Sequence, residues 1–189
     1  GIYGEVPEHW DDQTRRPRGA LTRPGVPPLA YNLRSKHQMW ADCAADLYEE
    51  AIQRRWIPAT DVPWNKLRPL PDDVERAVCQ VCTELSQFAN TEIEIITYWQ
   101  DQMSYGYYEV KQFLATATFD CARLIEVLRK RALANGGGLG VESRGLVNRM
   151  ILESRGGWTE SAAYQYLMRG TFTMRVLSGL LNAAHNDAE

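Results

Sequence analysis

The chain has 189 residues, 44 % hydrophobic and 24 % charged, which is enough for one full core, too short for two comfortable domains and too apolar for wholesale disorder. Its formal net charge of −3 argues against a nucleic-acid partner, which shows as a basic face or stripe. No apolar run approaches the ~18 residues that a membrane span requires.

Residues 1–34 read as an extended arm. They hold five prolines, and Pro24-Gly25-Val26-Pro27-Pro28 excludes a helix there. Such an arm either lies over its own domain or embraces a partner. A first helix is expected from Ser35, as N-cap, to about Trp56. Trp40, Ala44, Leu47, Ala51 and Ile52 form its apolar stripe. Pro58 and Asp61-Val62-Pro63-Trp64 break the pattern. Pro69 and Pro71 then introduce a second helix, whose first turn carries Asp72, Asp73 and Glu75, acids that complement the helix dipole.

The second helix, over roughly 72–104, places Val74, Val78, Val81, Leu85, Phe88, Glu92, Ile96, Trp99 and Met103 on one stripe. Glu92 is the exception, a carboxylate amid hydrocarbon. After Ser104-Tyr105-Gly106 a third helix follows over 107–134, with Val110, Leu114, Ala117, Cys121, Leu124, Leu128 and Ala132 facing inward. Asn135 and three glycines end it. A shorter helix around 143–154 and a last one from about Thr159 to Ala184 complete the pattern. No alternating strand pattern competes. The expected fold is therefore all-α: the 1–34 arm, then one helical domain over 35–189 built on two long antiparallel helices.

Four cysteines, at 43, 79, 82 and 121, fall in helical patterns and fit reduced, buried thiols. No secretory signal opens the sequence as given, although the missing initiator Met leaves room for a start upstream; with the thiols read as reduced, a cytoplasmic location is expected. Only His9, His37 and His185 are present, and Val6, Arg34 and Asn182 precede them by three. No Glu-x-x-His pair therefore exists.

From Trp56 to Gly140 the wording resembles the ferritin-like di-iron oxygenases, the relatives of ribonucleotide reductase small subunits and of the hydroxylase subunits of bacterial multicomponent monooxygenases. The resemblance rests on Asp61-Val62-Pro63-Trp64, on Thr83 to Glu92, on Tyr108-Glu109-Val110 through Thr116, on Phe119 to Glu126 and on Arg129-Lys130-Arg131-Ala132-Leu133. In that family a four-helix bundle holds two irons through a lone Glu and a Glu-x-x-His, each repeated on two further helices. Carboxylates bridge and balance the hard cations, while imidazoles fix each iron.

The resemblance puts Glu92 at the lone-Glu position and the Glu-x-x-His at 121 and 124. Those positions are Cys121 and Leu124, flanked by the retained Asp120, Ala122 and Arg123. The second lone Glu falls at Arg169. A conventional di-iron centre within this chain is thus not expected. A fourth core helix is not evident either, so the first helix closes the bundle unusually, the chain continues, or a partner covers the stripe.

Glu92 reads as a buried carboxylate paired with Arg169, and Cys121 as a small core filler rather than a thiolate ligand. Cys79-Gln80-Val81-Cys82 could pair its sulfurs on one helix face. It lies about 20 Å from the Glu92 level at ~1.5 Å per residue, without further zinc ligands. Tyr105, Tyr107, Tyr108 and Trp99 read as core and interface aromatics, and Lys111, Arg129, Lys130 and Arg131 as a solvated helix face. His185-Asn186-Asp187 reads as a solvated tail. The implied function is a metal-free, non-catalytic subunit that pairs with a homologous di-iron oxygenase subunit, with the di-iron cofactor in that partner. The alternative is an oxygen-activating oxidoreductase with an atypical or inter-subunit metal site around Glu92, Cys121, Glu126 and the last helix.

Overall fold

The computed structural model describes residues 4–135, 137–142, 145, 150, 153 and 156–184. The protein is mostly helical, and among the described residues no strand forms. Two isolated bridges, His9 with Ser35 and Leu33 with Met103, are the nearest approach to one. The helices are α1 (Lys36–Met39), α2 (Ala44–Gln53), α3 (Asp72–Gln102), α4 (Tyr108–Ala134), α5 (Trp158–Ala162) and α6 (Gly170–Ala183), with a π-helical stretch at Ala163–Arg169. The two long helices and the last helical run match the sequence expectation closely. The expected 143–154 helix and the 185–187 tail lie outside the described residues, apart from 145, 150 and 153. Among the described residues no helix is long and apolar enough to cross a membrane.

The chain divides into two compact units, Gly1–Arg55 with Ile95–Phe119, and Trp56–Glu94 with Asp120–Glu189. In the first unit the N-terminal segment supplies core. Tyr31 and Leu33 are buried, and the backbone N–H groups of Asn32 and Leu33 both donate to the Gln102 carbonyl, at 3.1 and 3.0 Å. That carbonyl ends α3 and has no partner within the helix, so the arm supplies its cap. Tyr107 is fully buried and its hydroxyl donates to the Arg34 carbonyl at 3.0 Å. Burial, with the nearby Glu8 charge second, pushes that phenol up to about 12. Arg18 reaches from the arm to the Gly106 carbonyl and to Oε1 of the fully buried Glu109.

Gly106 is where the arm approaches closest. A Cβ there would stand 2.5 Å from the Trp10 indole. Gly106→Ala is expected to displace Trp10 and cost about 1–3 kcal/mol, as overpacking does. A lower melting temperature with faster tryptic cleavage at Arg15 to Arg23 would show it, and an unchanged cleavage rate would contradict it.

The single helix expected over 35–56 is two. Ser35 does cap α1, with Gln38 Oε1 accepting from the Ser35 and Arg34 backbone N–H groups at 3.0 and 3.1 Å. At Trp40 the backbone turns extended (φ −75°, ψ 139°). The indole there packs against the Tyr107 ring, 6.3 Å between centroids, and donates from Nε1 to Asp42 Oδ1 at 2.7 Å. Of the expected stripe only Ala44 is buried, while Leu47 and Ile52 are exposed. Cys43 is likewise exposed, unlike the other three thiols.

Lys111 is not a solvated surface charge. Its Nζ donates to the Met103 carbonyl at 2.9 Å and lies over the Tyr31 and Tyr105 rings at 5.5 and 4.2 Å. Desolvation lowers its pKa.

In the second unit the deepest line of α3 is Glu75, Cys79, Cys82, Leu85 and Ala89. Of the expected α3 stripe, Leu85, Ile96, Trp99 and Met103 are buried, while Val74, Val78 and Val81 are half-buried and line a cavity of about 400 Å³ with Leu124, Leu128, Leu177 and Leu181. The buried line also holds a polar pair that the stripe did not include. Arg131, expected on a solvated face, is buried and holds buried Glu75 through Nη1–Oε1 and Nη2–Oε2 contacts of 2.6 and 3.3 Å. Beside that pair Cys79, Cys82 and Ala132 form a buried cluster, with Val78 and Leu128 packed against it. Cys79 completes the level by donating from Sγ to the Ala132 carbonyl at 3.4 Å. The α4 stripe is as expected in register: Val110, Leu114, Cys121 and Ala132 are buried, and Ala117, Leu124 and Leu128 half-buried.

Candidate functional site

Glu92, Cys121, Gln165, Tyr166 and Arg169 form one polar group inside the second unit. Glu92 comes from α3 and Cys121 from α4. The other three come from the π-helical Ala163–Arg169 stretch. The wider i→i+5 turn there reduces the drift between residues four apart, so Ser161, Gln165 and Arg169 all point inward. Their exposures are 1 %, 2 % and 5 %, whereas intervening Leu167 and Met168 are 70 % and 65 % exposed. π-Turns inside α-helices concentrate at functional sites.

Arg169 is the cation of the group. Its Nη1 donates to Gln165 Oε1 at 2.9 Å, its Nη2 to the Phe88 carbonyl, and its guanidinium lies 5.1 Å from the Phe88 ring centroid. It interacts with Glu92 through space. Desolvation lowers the Arg169 pKa, and the Glu92 charge works against that fall. Glu92 shows the complementary balance. Burial raises its carboxyl, opposed first by the Arg169 charge and then by the Cys121 and Gln165 side chains. The two side chains lie near enough for their charges to act on each other. The guanidinium spends its hydrogen bonds on Gln165 and Phe88. The Gln165 amide faces Glu92 as well, although its Nε2 completes no hydrogen bond.

Cys121 is buried, and burial followed by the Glu92 charge pushes its thiol up to about 12. A thiol so held stays protonated at neutral pH and is neither nucleophile nor ready ligand. The Tyr166 hydroxyl is raised by burial and by the same carboxylate. The residue as a whole is 41 % exposed, so the buried part is its hydroxyl end. Leu124 is half-buried and lines the apolar cavity. Glu126 is exposed and takes no part. Asp120 and Arg123 pair with each other, and Arg123 also donates to the Trp56 carbonyl at 2.6 Å.

This donor set does not fit a two-iron centre. Two hard cations call for several carboxylates and imidazoles. Here one carboxylate, a protonated thiol, a hydrocarbon and a guanidinium are what Glu92, Cys121, Leu124 and Arg169 offer. The fixed positive charge of Arg169 would repel the metals it faced.

Glu92 makes stability depend on pH in a distinct sense. Its folded pKa lies above the ordinary 4.5, so the folded state binds its proton more tightly than the unfolded chain. That contribution is full below 4.5 and is lost as pH rises through the folded value. In urea unfolding from pH 4 to 8, the stability of the wild type minus that of Glu92→Gln should fall as pH rises. A flat or rising difference would contradict the assignment.

Sequence reasoning missed Ser161, Gln165 and Tyr166. The one available signal was polar spacing: Ser161, Gln165 and Arg169 recur every four residues between apolar neighbours. The chain was also compared with protein-family models, curated proteins and solved structures, and none of these matches it.

Proposed function

We propose that the chain is a metal-free, ferritin-like subunit that pairs with a homologous di-iron oxygenase subunit and stabilises or regulates it. The observation carrying this reading is Arg169: a buried guanidinium stands where the resemblance implies a metal-ligating carboxylate. It faces the single retained carboxylate, Glu92, with charge of the kind the metal would have supplied. The neighbouring ligand positions are Cys121 and Leu124, so the internal site is organised as a neutralised polar knot.

Contacts along α3 and α4 are in keeping with two antiparallel core helices of the ferritin-like type. Glu75 meets Arg131, Cys79 meets the Ala132 carbonyl, and Gln100 meets the Lys111 carbonyl at 2.8 Å. Within the second unit Glu75 lies by Arg131 and Glu92 by Cys121, so residue numbers fall on α4 as they rise on α3. The last helical run supports a subunit role. Leu167, Met168, Phe172, Met174 and Leu181 are all more than half exposed, an apolar surface of the sort that marks interfaces.

The test has two arms. The chain purified alone and loaded with ferrous iron should hold far less than one iron per chain by metal analysis. Expressed beside candidate ferritin-like chains that carry intact Glu-x-x-His motifs, it should co-purify with one of them at fixed stoichiometry. Stoichiometric iron in the isolated chain would overturn the metal-free reading, and a stable lone monomer would overturn the subunit reading.

A further inference from the structure

The apolar cavity of the second unit plays no part in the reading above. About 400 Å³ in volume, it is walled by Val74, Val78, Leu124, Leu128 and Leu177, together with Trp64. Those five aliphatic side chains come from α3, α4 and α6 and are each only half-buried, so three helices turn hydrocarbon toward one shared space. The strong donors of the lining are already engaged. Nη1 and Nη2 of Arg131 hold Glu75, and the Trp64 indole N–H donates to the Pro58 carbonyl at 2.8 Å. Water finds few partners on such a wall, whereas hydrocarbon would supply the packing contacts that the lining lacks. A cation marks the rim. Lys130 is exposed, and its Nζ lies 4.6 Å from the Trp64 ring centroid.

We infer that this cavity binds a free medium-chain carboxylate, its alkyl tail along the Val and Leu walls and its anionic head at Lys130. Size, wall chemistry and rim charge each point to that class. At about 30 Å³ per methylene-sized group, close to water's share of the liquid, the volume holds roughly a dozen carbon atoms. Along α4 the lining runs from Leu124 to Arg131, roughly 10 Å at ~1.5 Å per residue, the length of a medium alkyl chain. A bare anion would gain nothing from the walls, and the amide groups of a peptide would be buried there without partners. The ammonium of Lys130 complements a carboxylate that stays in water while the tail leaves it. The inference does not rest on the subunit reading.

The full-length chain is titrated by isothermal calorimetry at low salt with decanoate, butyrate, decanol and decyltrimethylammonium, each below its micellar concentration. Decanoate should bind saturably, one per chain. Butyrate, with the same head and a much shorter tail, should bind at least about a hundredfold more weakly. Decanol should fall about two- to fivefold below decanoate, the value of one exposed charge contact, and decyltrimethylammonium lower still. Lys130→Gln should bring decanoate down to the level of decanol and leave decanol unchanged. Arg129→Gln makes the same charge change at the adjacent residue, which lines a different cavity, and should alter neither. Leu177→Phe narrows the space and should weaken decanoate by about tenfold; the exposed Lys130 variant keeps the test decisive if it does not fold. Equal binding of butyrate, or of decyltrimethylammonium, would overturn the assignment, the second by showing a bare apolar surface open to any tail or partner side chain. So would a decanoate affinity indifferent to Lys130→Gln.

Discussion

Arg169→Met is expected to lower the unfolding free energy by about 3 kcal/mol, from the loss of two buried charge-assisted hydrogen bonds and of the cation facing Glu92. The guanidinium is 5 % exposed and ties Gln165 to the Phe88 carbonyl. With methionine in its place, Phe88 O and Gln165 Oε1 lose their donor. The Glu92 carboxyl, already raised by burial, rises further. The deficit should therefore grow with pH above the ordinary carboxylate range. Adding Glu92→Gln should return part of the loss. Chemical denaturation of the two single variants and the double variant measures this directly. Strictly additive effects would show that Glu92 and Arg169 do not act on each other.

Arg131→Met is expected to cost about 3–5 kcal/mol, the penalty for leaving one partner of a buried ion pair uncompensated. The side chains of Arg131 and Glu75 are 7 % and 10 % exposed, so water cannot take over. The Arg131 hydrogen bond is the chief influence holding the Glu75 carboxyl below its ordinary value. Stability from that depression is present above 4.5 and is lost as pH falls through the folded value. The variant's deficit should be largest at neutral pH and shrink in acid, opposite in sense to the slope from Glu92. Thermal unfolding at pH 7 and pH 4 separates the two. Replacing both partners by apolar residues should cost much less than either single change. A surface-like loss below 0.5 kcal/mol for Arg131→Met would refute the buried pair.

The two pairs differ in how far they could be read in advance. Glu92 stood out because a carboxylate broke an apolar period on a long helix. The resemblance to di-iron proteins supplied Arg169 as its counterpart. Arg131 offered no such contrast. It follows Arg129 and Lys130, and a run of three cations at the end of a helix reads as solvated surface. Only the side of α4 on which 131 falls, with Glu75 opposite, sets it apart. Periodicity sees one helix at a time. It therefore gave Val74, Val78 and Val81 but not Glu75 and Cys79, whose burial depends on Arg131 and Ala132 of α4.

The N-terminal segment makes the same point about polar bonds. Prolines and arginines marked it as extended, and extended it is. Its packing rests on backbone groups, with Asn32 and Leu33 capping Gln102 and Tyr107 reaching Arg34. Every residue carries such groups, so no residue type announced them. The hydroxyl of Tyr107 and the carboxylate of Glu109 lie in a stretch whose aromatics dominated the pattern.

By itself the sequence determined where the long helices begin and end, because prolines, first-turn acids, glycines and three-four spacing act locally. It also determined which chemistry Glu92, Cys121, Leu124 and Arg169 bring to their positions. Tertiary structure decided which charges are buried, and that Gln165 and Tyr166 join Glu92 through a π-helical turn. Those outcomes depend on what stands opposite each side chain, and burial of a charge is settled by its partner rather than by its neighbours in the chain.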